Sequence, residues 1–320
     1  MYGCCSPLFF HLSPITNFKS LRHLPSRNNP IAAVQKKNAA STTRKKRTVS
    51  SSKSPRASKK VQEKYGRAMP IWLRNILTVM IVGCFSAVFY YFFIRPYAYR
   101  WKPCNGLKEY GVCIPSGYDI HGIDISHYQG KIDWGRLLQN KQTATPLHFI
   151  FMKATEGGDH NDTTFQTNFA NARNHGFIRG AYHFYIPGTD ALKQADFFIR
   201  TVKLDSGDLP PVLDVEVTGR KEKKELQQGI KRWLDRIESH YGVKPILYTS
   251  YKFKTRYLDD SIFNAYPYWI AHYYVDSVKY QGKWDFWQHT DVGNVPGIKE
   301  DVDLNVFNGT LEELKKLTIK

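Results

Sequence analysis

Residues 76–94 form a run of nineteen residues without a charged side chain, and Arg74 and Arg95 bracket it. At about 1.5 Å per residue, a helix of this length spans roughly the hydrocarbon core of a bilayer. A buried core helix normally has a polar face, whereas this run offers a single Thr and a single Ser. No small-residue cleavage site follows it, which disfavours a cleaved signal peptide. The run predicts a transmembrane signal anchor over residues 71–95.

Positive charge is concentrated before this run. The chain has a formal net charge of +18, and residues 1–75 hold sixteen Lys or Arg against one acid, Glu63. Because Lys and Arg collect on the cytoplasmic side of a membrane helix, we expect a cytoplasmic N-terminus, a single span and an extracytoplasmic C-terminal part. Residues 1–70 lack apolar periodicity, which predicts a basic, mostly disordered tail. Its basic runs contain no interleaved aromatic residues, so no nucleic-acid partner is predicted.

Residues 96–118 are interpreted as a linker between the anchor and the body of the chain. Cys104 and Cys113 fall in this segment. In an oxidising compartment the two cysteines would close a small loop, and two free thiols remain an open alternative.

Residues 119–315 alternate short apolar runs with helical patterns, which predicts an α/β domain built on a parallel sheet. Regular helices thin out after about residue 265, so we expect a barrel that is wrapped by helices only in its first part. The clearest helix covers residues 222–241 and ends at Gly242. Its apolar residues recur at helical spacing: Leu226, Ile230, Trp233, Leu234, Ile237 and Tyr241.

The segment LPPVLDVEV places two acids two residues apart, Asp214 and Glu216. Residues two apart in a strand share a face, so both carboxylates are expected to point the same way. Neighbouring carboxylates raise each other's pKa, and a carboxyl that stays protonated near neutral pH suits a general acid. The alternative is an ordinary pair of exposed acids at a strand end.

Two more acids occupy similar settings. Asp124 is expected at the carboxyl end of the first strand, and Asp303 at the end of the last. The carboxyl ends of parallel barrel strands converge on one mouth, so these acids are expected to join the first pair there. Asp124 has an alternative role as a helix cap or turn residue.

Aromatic residues in the same segments suit the faces of sugar rings, although in a barrel most such residues belong to the core. No metal-ligand spacing, phosphate-binding loop or nucleophile motif is present, so neither a metal nor a cofactor is expected. The candidates for contact with a sugar are Tyr182, Tyr185, Tyr248, Trp269 and Trp287.

Together these segments resemble the glycoside hydrolase family 25 lysozymes, the Chalaropsis-type N-acetylmuramidases. The resemblance covers about residues 119–310 and rests on motifs in the family's order: GIDISHYQGKIDW (122–134), FMKATEG (151–157), GAYHFY (180–185), PPVLDVE (210–216), ILYTS (246–250), YWIAHY (268–273), WQHT (287–290) and VDLNVFNG (302–309).

The resemblance implies a modified TIM-like barrel with a catalytic groove at the strand ends, and hydrolysis of the β-1,4 bond between N-acetylmuramic acid and N-acetylglucosamine in peptidoglycan. By position, Glu216 resembles the general acid, and Asp214 the residue that orients the 2-acetamido group or stabilises positive charge. Asp124 and Asp303 match the family's other active-site acids. Gln288, in WQHT, is expected to bind substrate. We favour the substrate's own acetamido oxygen as the nucleophile. A nucleophile supplied by the enzyme remains an alternative.

Many members of this family are secreted, whereas this chain carries a predicted membrane anchor. We therefore expect a monomeric enzyme of the cell membrane that remodels or degrades the wall; whether its target is the cell's own wall or a foreign one stays open. Two alternatives remain: a catalytically silent peptidoglycan-binding scaffold, and a hydrolase of another N-acetylhexosamine glycan.

Overall fold

The computed structural model describes residues 69–94, 104 and 106–320, so almost all of the predicted basic tail lies outside the described residues. The predicted apolar run is helical: α1 (Ile71–Phe89) continues into a π-helical turn, Tyr90–Ile94. No residue of α1 is buried by the rest of the described chain, although the helix has no continuous polar face. The 24 residues Ile71–Ile94 are long and apolar enough to cross a membrane.

Eight strands close into a barrel. In chain order the strands of the described residues are β1 (Lys108–Glu109), β2 (Val112–Cys113), β3 (Ile120–Ile125), β4 (Leu147–Glu156), β5 (His160–Asn161), β6 (Ile178–Phe184), β7 (Val212–Asp214), β8 (Ile246–Ser250), β9 (Tyr268–Ala271), β10 (Phe286–Gly293) and β11 (Val302–Phe307). The barrel order is β3-β11-β10-β9-β8-β7-β6-β4, and the pairing of β3 with β4 closes it. β1 and β2 form a separate hairpin, and β5 pairs with the end of β4.

Helices cover the barrel unevenly. After α1 they are α2 (Trp134–Gln139), α3 (Phe165–Asn174), α4 (Ala191–Thr201), α5 (Lys223–Tyr241), α6 (Tyr251–Tyr257) and α7 (Leu311–Leu317). Helices α2 to α6 each lie between two neighbouring parallel strands, whereas residues 272–301 contain no α-helix. The predicted α/β class and the thinning of helices are therefore confirmed. So is the longest predicted helix, since α5 buries its apolar stripe and Gly242 ends it with φ 72°.

The last strand departs from a TIM-type barrel. Seven barrel strands run parallel, but β11 is antiparallel to both β10 and β3. Only residues 294–301 connect β10 to β11, and a parallel neighbour would need a crossover of a dozen or more residues. The chain therefore turns back, and the start of β11 lies at the mouth where the other strands end.

The barrel interior is filled by large rings. Phe149, Phe151 and Phe286 point inward with Trp269, and the rings of Phe151 and Trp269 stack at 4.4 Å. Gly122 makes room for this packing, because a Cβ there would lie 2.4 Å from the Phe149 ring. The interior is thus a packed core, and only the side chains of its upper layer reach the mouth.

The segment interpreted as a linker is partly a cover for the barrel. Tyr110 and Ile114 are each only 7% exposed and belong to the core between the sheet and its outer elements. The Tyr110 hydroxyl donates to the carbonyl oxygen of Thr145 at 2.9 Å. A disulfide joins Cys104 to Cys113 and closes the hairpin of β1 and β2. The described residues of this segment therefore pack against the barrel.

Candidate active site

Asp124 lies at the mouth end of β3 and is 7% exposed. Its Oδ2 accepts hydrogen bonds from Gln288 Nε2 and Asn305 Nδ2, each at 2.7 Å. Burial raises the pKa of Asp124 to about 7, and these two hydrogen bonds oppose the rise. The amide donors therefore stabilise the ionised carboxylate in a place where burial disfavours it.

The two amides are themselves oriented by donors. Trp269 Nε1 donates to Asn305 Oδ1 at 2.8 Å, and the hydroxyls of Tyr248 and Tyr273 donate to Gln288 Oε1 at 2.6 Å each. An indole N–H has no acceptor capacity, so Asn305 must present its oxygen to Trp269 and its nitrogen to Asp124. The rings beneath the mouth thus fix the direction in which Asp124 is held.

Asp214 and Glu216 stand at the end of β7. Asp214 is 6% exposed, and its buried Oδ1 has no hydrogen-bond partner among the described residues. Glu216 is open to solvent although protein surrounds much of its carboxyl. Burial raises the pKa of both, and the charge of Glu216 raises that of Asp214 further, so the pair lie close together. Lys153 opposes both shifts.

Asp303 is the second residue of β11, directly paired with Asp124. It was expected at the end of a strand, and it lies near the start of one instead; the reversed direction of β11 is what brings it to the mouth. Burial raises its pKa well above the usual range, and the charges of Asp124, Asp291 and Glu216 add to the rise. The barrel thus gathers four carboxyls, and together they hold protons more tightly than isolated acids.

The family model for glycosyl hydrolases family 25 matches residues 123–298. This chain belongs to that family and is a glycoside hydrolase. An uncharacterized Escherichia coli (strain K12) protein, YegX, is 44% identical over 218 residues, which cover 68% of this chain and 79% of that protein. Lysozyme M1 of Streptomyces globisporus is 32% identical, with coverage of 62% and 71%. A solved bacterial lysozyme from Streptomyces coelicolor is 32% identical with a TM-score of 0.58, and covers 63% of this chain and 98% of that one.

The aromatic candidates of this family 25 hydrolase divide between the mouth and the core. Tyr182 is half-buried, and burial together with the charges of Asp124, Asp214 and Asp303 raises its pKa well above the usual range. Tyr248 faces Asp124, Asp214 and Glu216 from β8 but is 6% exposed and donates to Gln288. Tyr182 is therefore placed to contact a ligand, whereas Tyr248 orients Gln288.

Three predicted ligand contacts lie elsewhere. Tyr185 points outward against α5, where a Cβ on Gly229 would lie 2.4 Å from its hydroxyl. Trp287 also points outward: it is fully buried and donates Nε1–H to the His272 carbonyl oxygen at 2.8 Å. Trp269 lies inside the barrel below the acids at 2% exposure. Strand alternation explains the first two, since Tyr185 and Trp287 have the opposite parity to Tyr182 and Gln288. Gln288 itself is 3% exposed and supports Asp124.

Sequence reasoning missed Lys153, Tyr273 and Asn305. Lys153 is two residues beyond Phe151 on β4, so it shares the inward face, and its Nζ lies 2.6 Å from Glu156 Oε2. Because residues two apart on a strand share a face, the sequence pattern could have predicted that this lysine points inward with the aromatic rings. Asn305 carries the same signal, since it stands two residues after Asp303 on β11.

This arrangement suits acid-assisted cleavage of a glycosidic bond. Among the described residues, no group of three His, Cys, Asp or Glu side chains is placed to hold a metal ion. Glycosidases generally use a pair of carboxyl groups, one of which protonates the leaving oxygen. A carboxyl with a raised pKa meets that need; burial of its carboxyl raises the pKa of Glu216, although the residue as a whole is exposed.

Proposed function

We propose that this glycoside hydrolase is a membrane-anchored lysozyme, which hydrolyses the β-1,4 bond between N-acetylmuramic acid and N-acetylglucosamine in peptidoglycan with Glu216 as general acid. The two lysozymes to which the chain is similar support the substrate class. The observation that carries the role of Glu216 is the combination of an exposed residue and a raised pKa, two residues after the more deeply buried Asp214, whose pKa the charge of Glu216 raises. An accessible protonated carboxyl is what the leaving oxygen requires.

Asp214 is proposed to act on the substrate's 2-acetamido group. Its unpartnered Oδ1 is costly to bury, and an acetamido N–H would satisfy it. As Glu216 gives its proton to the leaving oxygen, the C1–O bond breaks and the acetamido oxygen forms a bond to C1. Asp214 holds the N–H proton, and the charge of this ring intermediate is balanced by the carboxylates. Water then opens the intermediate, with Glu216 taking back a proton.

The test uses the full chain in detergent on purified peptidoglycan. Glu216→Gln keeps the size of the side chain but has no acidic proton, so we expect the rate to fall by at least about 10²-fold. Glu238→Gln, in the last turn of α5 just before β8 begins and so toward the end of the barrel opposite the mouth, is the matched control and should retain full activity. Activity of Glu216→Gln equal to that of the unaltered chain would contradict the general-acid role.

The products decide between the alternatives. A new reducing end on N-acetylmuramic acid identifies a muramidase. A new reducing end on N-acetylglucosamine, or cleavage confined to another N-acetylhexosamine glycan, would replace the proposed substrate. Binding of peptidoglycan with no turnover by the unaltered chain would instead identify a scaffold.

We further propose that α1 holds the enzyme in the cell membrane as a monomer, with the N-terminus in the cytoplasm and the barrel outside. The apolar length of Ile71–Ile94 and the basic segment before it support this orientation. A tethered lysozyme is suited to remodelling the wall of its own cell.

A further inference from the structure

His127 and Asp162 form a hydrogen-bonded pair outside the set of four carboxyls. Asp162 Oδ2 accepts both from the backbone N–H of His127 at 2.8 Å and from its Nδ1 at 2.9 Å. Its other oxygen, Oδ1, accepts from Thr164 N at 2.9 Å and from Thr164 Oγ1 at 2.7 Å. The Asp162 side chain is fully buried, whereas 36% of the His127 side chain is exposed. The pair therefore joins a buried anchor to an open ring.

Asp162 fixes which nitrogen of His127 faces solvent. Burial alone would raise the pKa of Asp162, but the hydrogen bonds from Thr164 and His127 outweigh it and lower that pKa. Asp162 is therefore an anion that only accepts, so Nδ1 of His127 carries a proton. The opposite nitrogen, Nε2, is turned away from Asp162 and is left for a hydrogen bond to a ligand.

The turn that carries His127 is held firmly in place. The Ser126 side chain caps the 3-10 turn, and Gln129 Oε1 accepts from Ser126 N at 2.8 Å. Gln129 Nε2 also donates to the carbonyl oxygen of Asp301 at 3.0 Å, just before β11. The ring of Tyr128 lies against that of His127 at 4.1 Å. Little conformational entropy would thus be lost when this surface binds a ligand.

The pair belongs to the rim of the mouth. His127 follows Asp124 by three residues, and Gln129 bonds the backbone two residues before Asp303. The charge of Asp162 acts on Tyr182 together with those of Asp124, Asp214 and Asp303. A glycan that reaches the four carboxyls from this side would pass His127.

We propose that His127, oriented by Asp162 and flanked by Tyr128, is a sugar-binding residue that holds an N-acetylhexosamine unit next to the one being cleaved. Nε2 forms a hydrogen bond with a hydroxyl or acetamido group of that unit, and the paired rings offer it a flat apolar face. This inference rests on the proposed function, since it names a subsite of the same glycan.

The test measures binding in the Glu216→Gln chain, which holds substrate without cleaving it. The probe is a tetrasaccharide of two N-acetylglucosamine–N-acetylmuramic acid repeats, titrated calorimetrically into the full chain in detergent. His127→Asn retains a donor for Asp162 but has nothing at the position of Nε2. We expect it to raise Kd about three- to tenfold, as for one lost hydrogen bond, without changing the melting temperature. His127→Gln, which reaches the outer position, should lose less.

His240→Asn on α5 is the matched control and should bind like its parent. A purely structural role predicts that His127→Asn also binds like its parent, and that result would overturn the inference. In the cleaving chain, His127→Asn should raise KM while kcat stays the same. If the unaltered chain cleaves peptidoglycan and His127→Asn leaves Kd unchanged, the inference fails alone. If His127→Asn weakens binding of the tetrasaccharide but the unaltered chain cleaves no peptidoglycan, the proposed function fails and the subsite stands.

Discussion

At the scale of single residues, Asp303 costs the fold stability near neutral pH. Its pKa lies well above the ordinary 3.8 because it is buried beside Asp124. Between these two values the folded chain binds more protons than the unfolded chain, so the free energy of unfolding falls as pH rises. Asp303→Asn removes this penalty. We expect melting about 2–4 °C higher at pH 7.5, from roughly 1 kcal/mol, and little change at pH 4.

Thermal unfolding at the two pH values, beside the exposed control Asp276→Asn, measures this difference. An equal stabilisation at pH 4 and pH 7.5 would show that the effect does not come from titration of Asp303. The same variant should lose activity, since the site keeps acids together at a cost to stability.

Asn305 lowers the pKa of Asp124, against the effect of burial, by donating to its Oδ2. Asn305→Leu removes that donor and leaves the Trp269 N–H unpaired, so the free energy of unfolding should fall by about 1–3 kcal/mol. The pKa of Asp124 should rise further. Because the two amide donors stabilise Asp124 as a carboxylate, we expect activity to require that ionised form, so the acidic limb of the pH–rate profile should move to higher pH.

Asn140 supplies a matched control, because it is equally buried and donates to the carbonyl oxygens of Leu137 and Pro296. Asn140→Leu should destabilise the fold to a similar degree and leave the pH–rate profile where it was. A shift of the acidic limb in both variants would point to general destabilisation instead of the bond to Asp124.

At the scale of elements, the hairpin of β1 and β2 takes the place of a covering helix. Tyr110 and Ile114 pack into the core, and the disulfide closes the loop that carries them. A loop of about ten residues contributes roughly 2–3 kcal/mol through the entropy of the unfolded chain. The double variant Cys104→Ser, Cys113→Ser should therefore melt about 5–10 °C lower, whereas Cys84→Ser in α1 should melt unchanged. Unchanged melting of the double variant would mean that the hairpin unfolds separately.

The sequence pattern predicts some elements well and others poorly. The sequence predicts α5 and its end at Gly242 because the apolar residues of one helix face recur every three to four residues. It does not predict the direction of β11, because the alternation of side chains along a strand is the same in both directions. That direction follows from the shortness of the connection after β10. The sequence therefore predicts the correct end of the barrel for Asp303, but it assumes a parallel last strand, whereas Asp303 lies near the start of an antiparallel one. The parity that sends Tyr185 and Trp287 outward was available, since Tyr182 and Gln288 set the phase of their strands.

At the scale of the whole molecule, two segments offer the chain to a membrane in physically different ways. The basic segment at residues 1–75 would bind anionic lipid head groups electrostatically, and salt screens that attraction. The helix Ile71–Ile94 would insert into the hydrocarbon core, and salt does not weaken that contact.

If α1 is the anchor, we expect the full-length chain to stay with membranes in about 1 M salt and at alkaline pH, and to leave them only in detergent. Val82→Arg with Phe85→Arg, at about 2.5–3.5 kcal/mol for each charge at the bilayer centre, should release the chain into the salt-soluble fraction. Release of the unaltered chain by salt alone would assign the attachment to the basic segment, and the barrel would then be held at the surface by charge.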